Sequence, residues 1–291
     1  MNFTEKYNEL KSYFELELNN KIERVESCEP TLKEAMKYSL LNGGKRVRAV
    51  LMLAVAELLS LDKEKVIDYA VAIECIHAYS LIHDDLPAMD NDDYRRGKLT
   101  SHKVYGEAMA ILAGDALLNL AYEFLLRRSC DMPSLSASRL LSLYAGCFGM
   151  VGGQALDVLS ESCKINGDLE STLSTIHKNK TGKLLTASVL VPSCLKNNLY
   201  FDNLLQFGSN LGLLFQVVDD ILDVVSTSKE LGKTVMKDVA ENKLTYVNLY
   251  GLEKAKDFAN TYYDNAYNAI KNIENSDFLI ELLNFVKNRR N

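Results

Sequence analysis

Apolar residues recur at helical spacing along almost the whole chain. From Val104, the series Ala108, Ile111, Leu112, Leu118, Tyr122 and Leu125 forms one stripe with a period near 3.6. From Leu211, the series Leu214, Phe215, Val218, Leu222 and Val225 forms a second. Alternating runs of β-branched and polar residues are missing, so strands are not supported. Only four prolines (Pro30, Pro87, Pro133, Pro192) punctuate the chain, which leaves room for long helices. Breaks are predicted at Asn42-Gly43-Gly44, around Pro133, at Asn166-Gly167, near Asn197-Asn198 and around Gly232. No Gly/Ser/Pro linker divides the 291 residues, and a chain of this length buries roughly three-quarters of its unfolded surface. The pattern predicts one all-α domain over residues 1–291, a bundle of about ten helices with short connections.

Composition narrows the partners. Hydrophobic residues at 47% and charged residues at 25% are ordinary for a globular chain and exclude a disordered one. A formal charge of -6 argues against a nucleic-acid partner. An anionic substrate must then be held by local basic clusters or by metal ions. The first residues, MNFTEKYNELKSYFELELNN, carry no signal-peptide core. No apolar stretch reaches the roughly 18 uninterrupted residues of a membrane span. Six cysteines (Cys28, Cys75, Cys130, Cys147, Cys163, Cys194) are scattered without a CxxC pair, the pattern of reduced, mostly buried thiols. A soluble cytoplasmic protein is expected.

Two aspartate clusters interrupt otherwise apolar helices about half a chain apart. In the second, Asp219-Asp220-Ile221-Leu222-Asp223, residues Asp219 and Asp223 share a helical face, and Gln216 joins them one turn earlier. The first reads HDDLPAMDNDDYRRGKLTSHK and holds Asp84, Asp85, Asp90, Asp92 and Asp93. Pro87 distorts or ends the helix there, which lets Asp84, Asp85 and Asp90 converge. Magnesium takes carboxylate and phosphate oxygens and keeps several waters, so clusters of few carboxylates suit it. Ligand spacing for zinc is absent. One acidic helical face is commonly just solvated; two, each followed by cations, point to metal-bound phosphate.

The cations lie close by in sequence. Arg95, Arg96 and Lys98 follow the first cluster, and guanidinium forks bind phosphate bidentately. Lys45, Arg46 and Arg48 follow Gly43-Gly44 at a predicted helix start, where cations are unfavourable unless an anion compensates. The spacing is not that of a Walker loop. Lys180-Thr181-Gly182-Lys183, and Gly232-Lys233 with Lys237 and Lys243, read alone as solvated turns. His77 lies seven residues before Asp84 on the same helical face, whereas His83 is off that face and reads as structural. No Ser/His/Asp or Cys/His nucleophile arrangement has local support. Two metal clusters with phosphate-binding cations around an apolar cavity suggest a diphosphate on a hydrocarbon chain. Chain elongation, cyclisation and hydrolysis all remain open on these residues.

In its motifs and their order the chain resembles the polyprenyl diphosphate synthase family, closely the bacterial farnesyl diphosphate synthases. The likeness runs from GGKRVR at 43–48 through HAYSLIHDDLPAMDNDDYRRGK at 77–98, GEAMAILAGDALL at 106–118 and GMVGGQALDV at 149–158. It continues through HKNKTGKLL at 177–185 and FQVVDDILDV at 215–224 to LGKTVMKD at 231–238. The resemblance implies an isoprenoid-synthase-type bundle around a central cavity and a head-to-tail 1′-4 condensation. In that reaction an allylic diphosphate ionises, isopentenyl diphosphate attacks the cation, and a proton is lost.

Carried onto matching positions, the resemblance makes Asp84, Asp85, Asp90, Asp219, Asp220 and Asp223 ligands of about three magnesium ions. Arg95, Lys180 and Lys233 would grip the allylic diphosphate, and Lys45, Arg48, His77 and Arg96 would hold isopentenyl diphosphate. Thr181 and Gln216 would turn oxygen dipoles toward the developing cation. Met236 stands where the family usually has glycine, which bears on the Lys237 loop and not on the reaction class.

Product length is expected to depend on Tyr79, five residues before Asp84, with Ser80 about one turn below that aspartate. The resemblance implies that such a bulky residue floors the product cavity, here at farnesyl diphosphate. A geranylgeranyl diphosphate synthase is the nearest rival reading. A terpene cyclase fits less well, because its second motif usually mixes Asn, Ser or Thr with acids and this one is DDILD. A silent partner subunit usually lacks intact aspartate motifs, and this chain keeps both. The resemblance also implies a homodimer.

Overall fold

Helices form where the apolar periodicity places them in a computed structural model that describes residues 2–26, 28–161, 168–225 and 244–289. Internal packing divides the chain into two units, Met1–Ser138 and Arg139–Asn291.

The first unit contains α1 (Phe3–Glu23), α2 (Pro30–Leu40), α3 (Val47–Leu58), α4 (Lys63–Asp84), α5 (Ser101–Tyr105) and α6 (Glu107–Arg128). Local signals set the helix starts. Asn2 and Glu5 form a reciprocal capping box on α1, and α2 opens with Pro30 at its first turn behind the Glu29 cap. One face of α1 buries Leu10, Phe14, Leu18 and Ile22 at four-residue intervals. Helix α4 is buried nearly all round from Val66 to Ile82, so it forms the centre of this unit, packed by α3 and α6. Each fully buried Ile, Val or Leu there contributes about 1.5–3 kcal/mol.

Helix α6 departs from the stripe read in the sequence. Ile111 and Leu112 are exposed, while Ala110, Ala113, Leu117 and Ala121 are buried. Small side chains alternate there with Leu117, Leu120, Phe124 and Leu125, and let α6 approach α4 closely. By length and composition α6 also passes for a membrane helix, the one such helix among the described residues.

The chain also makes one short hairpin, β1 (Tyr94–Arg95) against β2 (Lys98–Leu99), paired Tyr94 with Leu99 and Arg95 with Lys98. Strands of two residues are too short to leave an alternating pattern, which is why periodicity did not reveal them. The turn residues Arg96 (φ +54°) and Gly97 (φ +76°) are both left-handed, the geometry a two-residue hairpin turn requires.

Helix α7 (Met132–Ala145) holds the boundary between the units. The second unit continues with α8 (Met150–Glu161), α9 (Leu169–Ile176), a π-helical turn (His177–Gly182), α10 (Lys183–Leu195) and α11 (Phe201–Val225). It ends with α12 (Tyr246–Tyr250), α13 (Leu252–Ile270) and α14 (Asp277–Asn288). Helix α11 packs against α10, α13 and the π turn. A Cβ on Gly212 of α11 would fall 2.5 Å from the Cα of Gly182, so glycine there permits the backbones to touch. Of the described cysteines, Cys75 and Cys194 are buried, but Cys130 and Cys147 are exposed, and all are free thiols. Exposure of those two corrects the expectation of mostly buried thiols.

Candidate active site

Pro87 ends α4 as expected: the helix stops at Asp84, and the backbone turns so that the Asp90 N–H donates to the Asp84 carbonyl (2.8 Å). Asp84 and Asp90 therefore lie side by side along the backbone despite six positions of separation. Asp85 points elsewhere. It is buried (3% exposed) and takes a bidentate grip from Arg95, whose Nε donates to Oδ1 (2.7 Å) and Oδ2 (3.0 Å), with Nη2 2.6 Å from Oδ1. Burial raises the Asp85 carboxyl above its ordinary value, with the Arg95 guanidinium opposing. The hairpin places Arg95 there, a pairing that no i,i+4 rule foresees.

Beside this pair a cleft in the first unit is lined by Arg46, Glu74, His77, Asp85, Arg95 and Arg96. Arg96 donates from Nη1 to the Gly43 carbonyl (2.6 Å) and lies against Gly44. Gly43 (φ +67°) and Gly44 (φ +115°) both take conformations that glycine accommodates without strain. The glycine turn, Arg96 and His77 thus meet at one place; of the four residues expected to hold isopentenyl diphosphate, His77 and Arg96 line this cleft. His77 is pushed well below its ordinary value by desolvation and then by Arg48, Arg96, Arg46 and Arg95. Burial and these cations thus favour the neutral imidazole. Desolvation and Arg46 likewise lower Arg96.

The second unit assembles the other half of the expected machinery. Thr181 Oγ1 donates to Gln216 Oε1 (2.9 Å), and Gln216 Nε2 donates to Asp220 Oδ1 (3.1 Å). The Tyr246 N–H donates to Asp220 Oδ2 (2.9 Å). Lys180 pairs with Asp157 Oδ2 at 2.6 Å. Asp219 Oδ1 lies 2.7 Å from Arg289 Nη2, and that guanidinium also covers the Phe215 ring at 3.8 Å. His177 is buried, 3.9 Å from Asp220, and desolvation lowers its pKa to about 4. Asp157, Arg289 and His177 carry no role in the sequence reading. Asp157 stands inside the GMVGGQALDV motif, which was its one available signal. Lys233, Met236 and Lys237 lie outside the described residues, as do Gly232, Lys243, Cys163 and the predicted break at Asn166-Gly167.

The donor set suits a hard cation. Asp223 Oδ2 is buried without a hydrogen bond, which is costly for a carboxylate oxygen and is relieved by a divalent ion. Among the described residues, no three His, Cys, Asp or Glu side chains are grouped to enclose an ion. The carboxylates thus fit an ion that completes its shell with phosphate oxygens and water, the habit of magnesium rather than of zinc.

Close helix contact holds Lys180 in place. A Cβ on Gly153 of α8 would lie 2.3 Å from the Lys180 backbone N. Gly153→Ala is expected to cost about 2 kcal/mol through overpacking, lowering Tm by several degrees in a thermal melt. An unchanged Tm would mean that α8 and the π turn are not in this contact.

The comparisons with known proteins agree with this arrangement. Residues 29–283 match the polyprenyl synthetase family. The large subunit 1 of the heterodimeric geranylgeranyl pyrophosphate synthase of Arabidopsis thaliana is 45% identical, over 89% of this chain and 72% of its own. The farnesyl diphosphate synthase of Micrococcus luteus is 42% identical, over 92% of each chain. The crystal structure of an FPP/GFPP synthase from Zymomonas mobilis superposes with a TM-score of 0.86 at 33% identity, covering 98% of both chains. The chain belongs to the polyprenyl synthetase family and is a prenyltransferase, a trans-prenyl diphosphate synthase.

Proposed function

We propose that the chain performs the magnesium-dependent 1′-4 condensation of isopentenyl diphosphate with dimethylallyl or geranyl diphosphate, ending at farnesyl diphosphate. The observation that carries this reading is the gathering of Arg95, Arg96 and a neutral His77 in one cleft at the end of α4, beside Asp85. Such a cleft suits a diphosphate anion. The family match runs unbroken across both units, which supports one polyprenyl synthase domain.

Each side chain has a task in that reaction. Lys45, Arg48 and Arg96 hold the diphosphate of isopentenyl diphosphate, and His77 adds a neutral hydrogen bond. Arg95, Lys180 and Lys233 take the allylic diphosphate, with Arg95 held ready by Asp85 and Lys180 by Asp157. Asp84, Asp90, Asp219 and Asp223 would hold magnesium, with Asp85 and Asp220 behind them. Magnesium when bound neutralises the departing diphosphate and stabilises its charge. Heterolysis of the allylic C1–O bond leaves a cation, toward which Thr181 and Gln216 direct oxygen dipoles. The double-bond electrons of isopentenyl diphosphate form the new C–C bond, and the departing diphosphate accepts the proton lost.

One relative favours a second product: the Arabidopsis protein bears a geranylgeranyl name. Release of inorganic diphosphate from isopentenyl plus dimethylallyl diphosphate, abolished by chelator, tests the reaction class. Release that persists in chelator would contradict it. A second copy is the proposed cover for the exposed Ile111 and Leu112 on α6. Light scattering is expected to give twice the chain mass, and a monomeric mass would contradict that. A cytoplasmic location is proposed from the free thiols.

A further inference from the structure

Glu74 is a buried acid in a cleft built for anions. It is 3% exposed and lies on α4, one turn before His77. Glu74 and Asp85 are the two acids among the described residues that line the cleft, and Asp85 is engaged by Arg95. An unpaired carboxylate near a bound diphosphate would repel it, so what Glu74 pairs with decides its purpose.

Its partner is Arg46. Arg46 Nη1 lies 3.3 Å from Glu74 Oε2, and Nη2 donates to the Leu40 carbonyl at the end of α2 (2.7 Å). The side chain is turned inward at 5% exposure, whereas Lys45 beside it is exposed. Arg46 also sits at φ +54°, directly after Gly43 and Gly44 with their positive φ values. A residue bearing a side chain holds such a conformation when its surroundings over-determine it. Two further contacts clamp the same turn: Tyr7 Oη donates to the Lys45 carbonyl (2.6 Å), and Arg96 Nη1 donates to the Gly43 carbonyl (2.6 Å). Arg46 is therefore a strut inside the protein, buried where Lys45 beside it is exposed.

We infer that Glu74 is a positioning residue for isopentenyl diphosphate: through Arg46 it fixes residues 43–48 so that Lys45, Arg48 and Arg96 meet the diphosphate together. The inference rests on the reading of this cleft as the isopentenyl diphosphate site. Removing the Glu74 charge takes away the buried one of Arg46's two acid partners, Glu74 and Glu15, and loosens the turn without touching any group assigned to the allylic substrate.

Steady-state kinetics of the full chain with magnesium, varying each substrate in turn, tests this. Glu74→Gln is expected to raise KM for isopentenyl diphosphate about tenfold, as loss of a supporting partner does, with KM for geranyl diphosphate within about twofold of wild type. Because Glu74→Gln leaves the buried Arg46 with Glu15, 3.6 Å from its Nε, as its remaining acid partner, the double variant Arg46→Met/Glu74→Gln serves as its companion. It is expected to recover thermal stability yet keep the raised KM, since neither charge is then stranded. A purely structural ion pair gives the opposite: KM for isopentenyl diphosphate returns to within about twofold of wild type in the double variant. That result, or an equal rise in both KM values, would overturn the inference. Wild-type protein that condenses no isopentenyl diphosphate would instead overturn the reading of the cleft itself.

Discussion

Asp84→Ala is expected to lower kcat about a thousandfold while leaving Tm within a degree or two of wild type. The kinetic part follows from what a carboxylate–metal contact supplies. Stabilising a leaving diphosphate is worth several kcal/mol, and about 4 kcal/mol corresponds to about three decades in rate. The stability part follows from position. Asp84 is the last residue of α4, only partly buried, and its carbonyl rather than its side chain receives the Asp90 N–H. A side chain at such a partly exposed helix end carries little of the packing, so a smaller residue costs little there, within about 0.5 kcal/mol. Asp85→Ala should behave differently, because it strands Arg95; activity and stability then fall together. The pair of variants separates a metal ligand from a support. Asp84→Ala retaining more than a tenth of wild-type kcat at saturating magnesium would remove Asp84 from the metal site.

Tyr79→Ala is expected to shift the main product from the C15 to the C20 diphosphate or longer. Tyr79 is buried (6% exposed) on α4, and its ring stands edge-on to His83 at 5.7 Å. His83 in turn fills the space against Gly114 of α6, where a Cβ would come within 2.2 Å of the imidazole Nε2. With its neighbour fixed in this way, the phenol is held against swinging aside, as the proposed stop to chain growth requires. Ser80 has no such role to take over, because its hydroxyl is turned onto the His77 carbonyl (3.0 Å). Truncation removes the ring and leaves α4 and α6 in place, since an apolar chain can occupy the vacated volume. Chromatography of dephosphorylated products would show the shift, and an unchanged length would move the floor elsewhere.

Much of this was legible in the residues, for reasons that differ by element. The helix α11 and the turn at Gly43-Gly44 follow directly from periodicity and glycine chemistry, with Leu211, Leu214 and Val218 of the stripe buried and Val225 at its end exposed. So does the helix end before Pro87, which explains how Asp84 and Asp90 meet. What stayed hidden depends on packing between distant segments. Arg289 reaches Asp219 across 70 positions, and Asp157 reaches Lys180 across 23; no local pattern announces either. The burial of Arg46 beside an exposed Lys45 was equally hidden, since both read as cations of one phosphate-binding turn. The α6 stripe misled for a simpler reason. Its inner face mixes small residues (Ala110, Ala113, Gly114, Ala121) with Leu117, Leu120, Phe124 and Leu125, and a reading weighted to large apolar residues draws in Ile111 and Leu112 from the outer face.

The most direct measurement of the central claim is incubation of the purified protein with labelled isopentenyl diphosphate, geranyl diphosphate and magnesium, with and without chelator. Products are then dephosphorylated and separated by length. Farnesol that forms with magnesium and disappears with chelator is the expected result. Absence of any elongated product, with geranyl or dimethylallyl diphosphate as starter, would contradict the condensation itself.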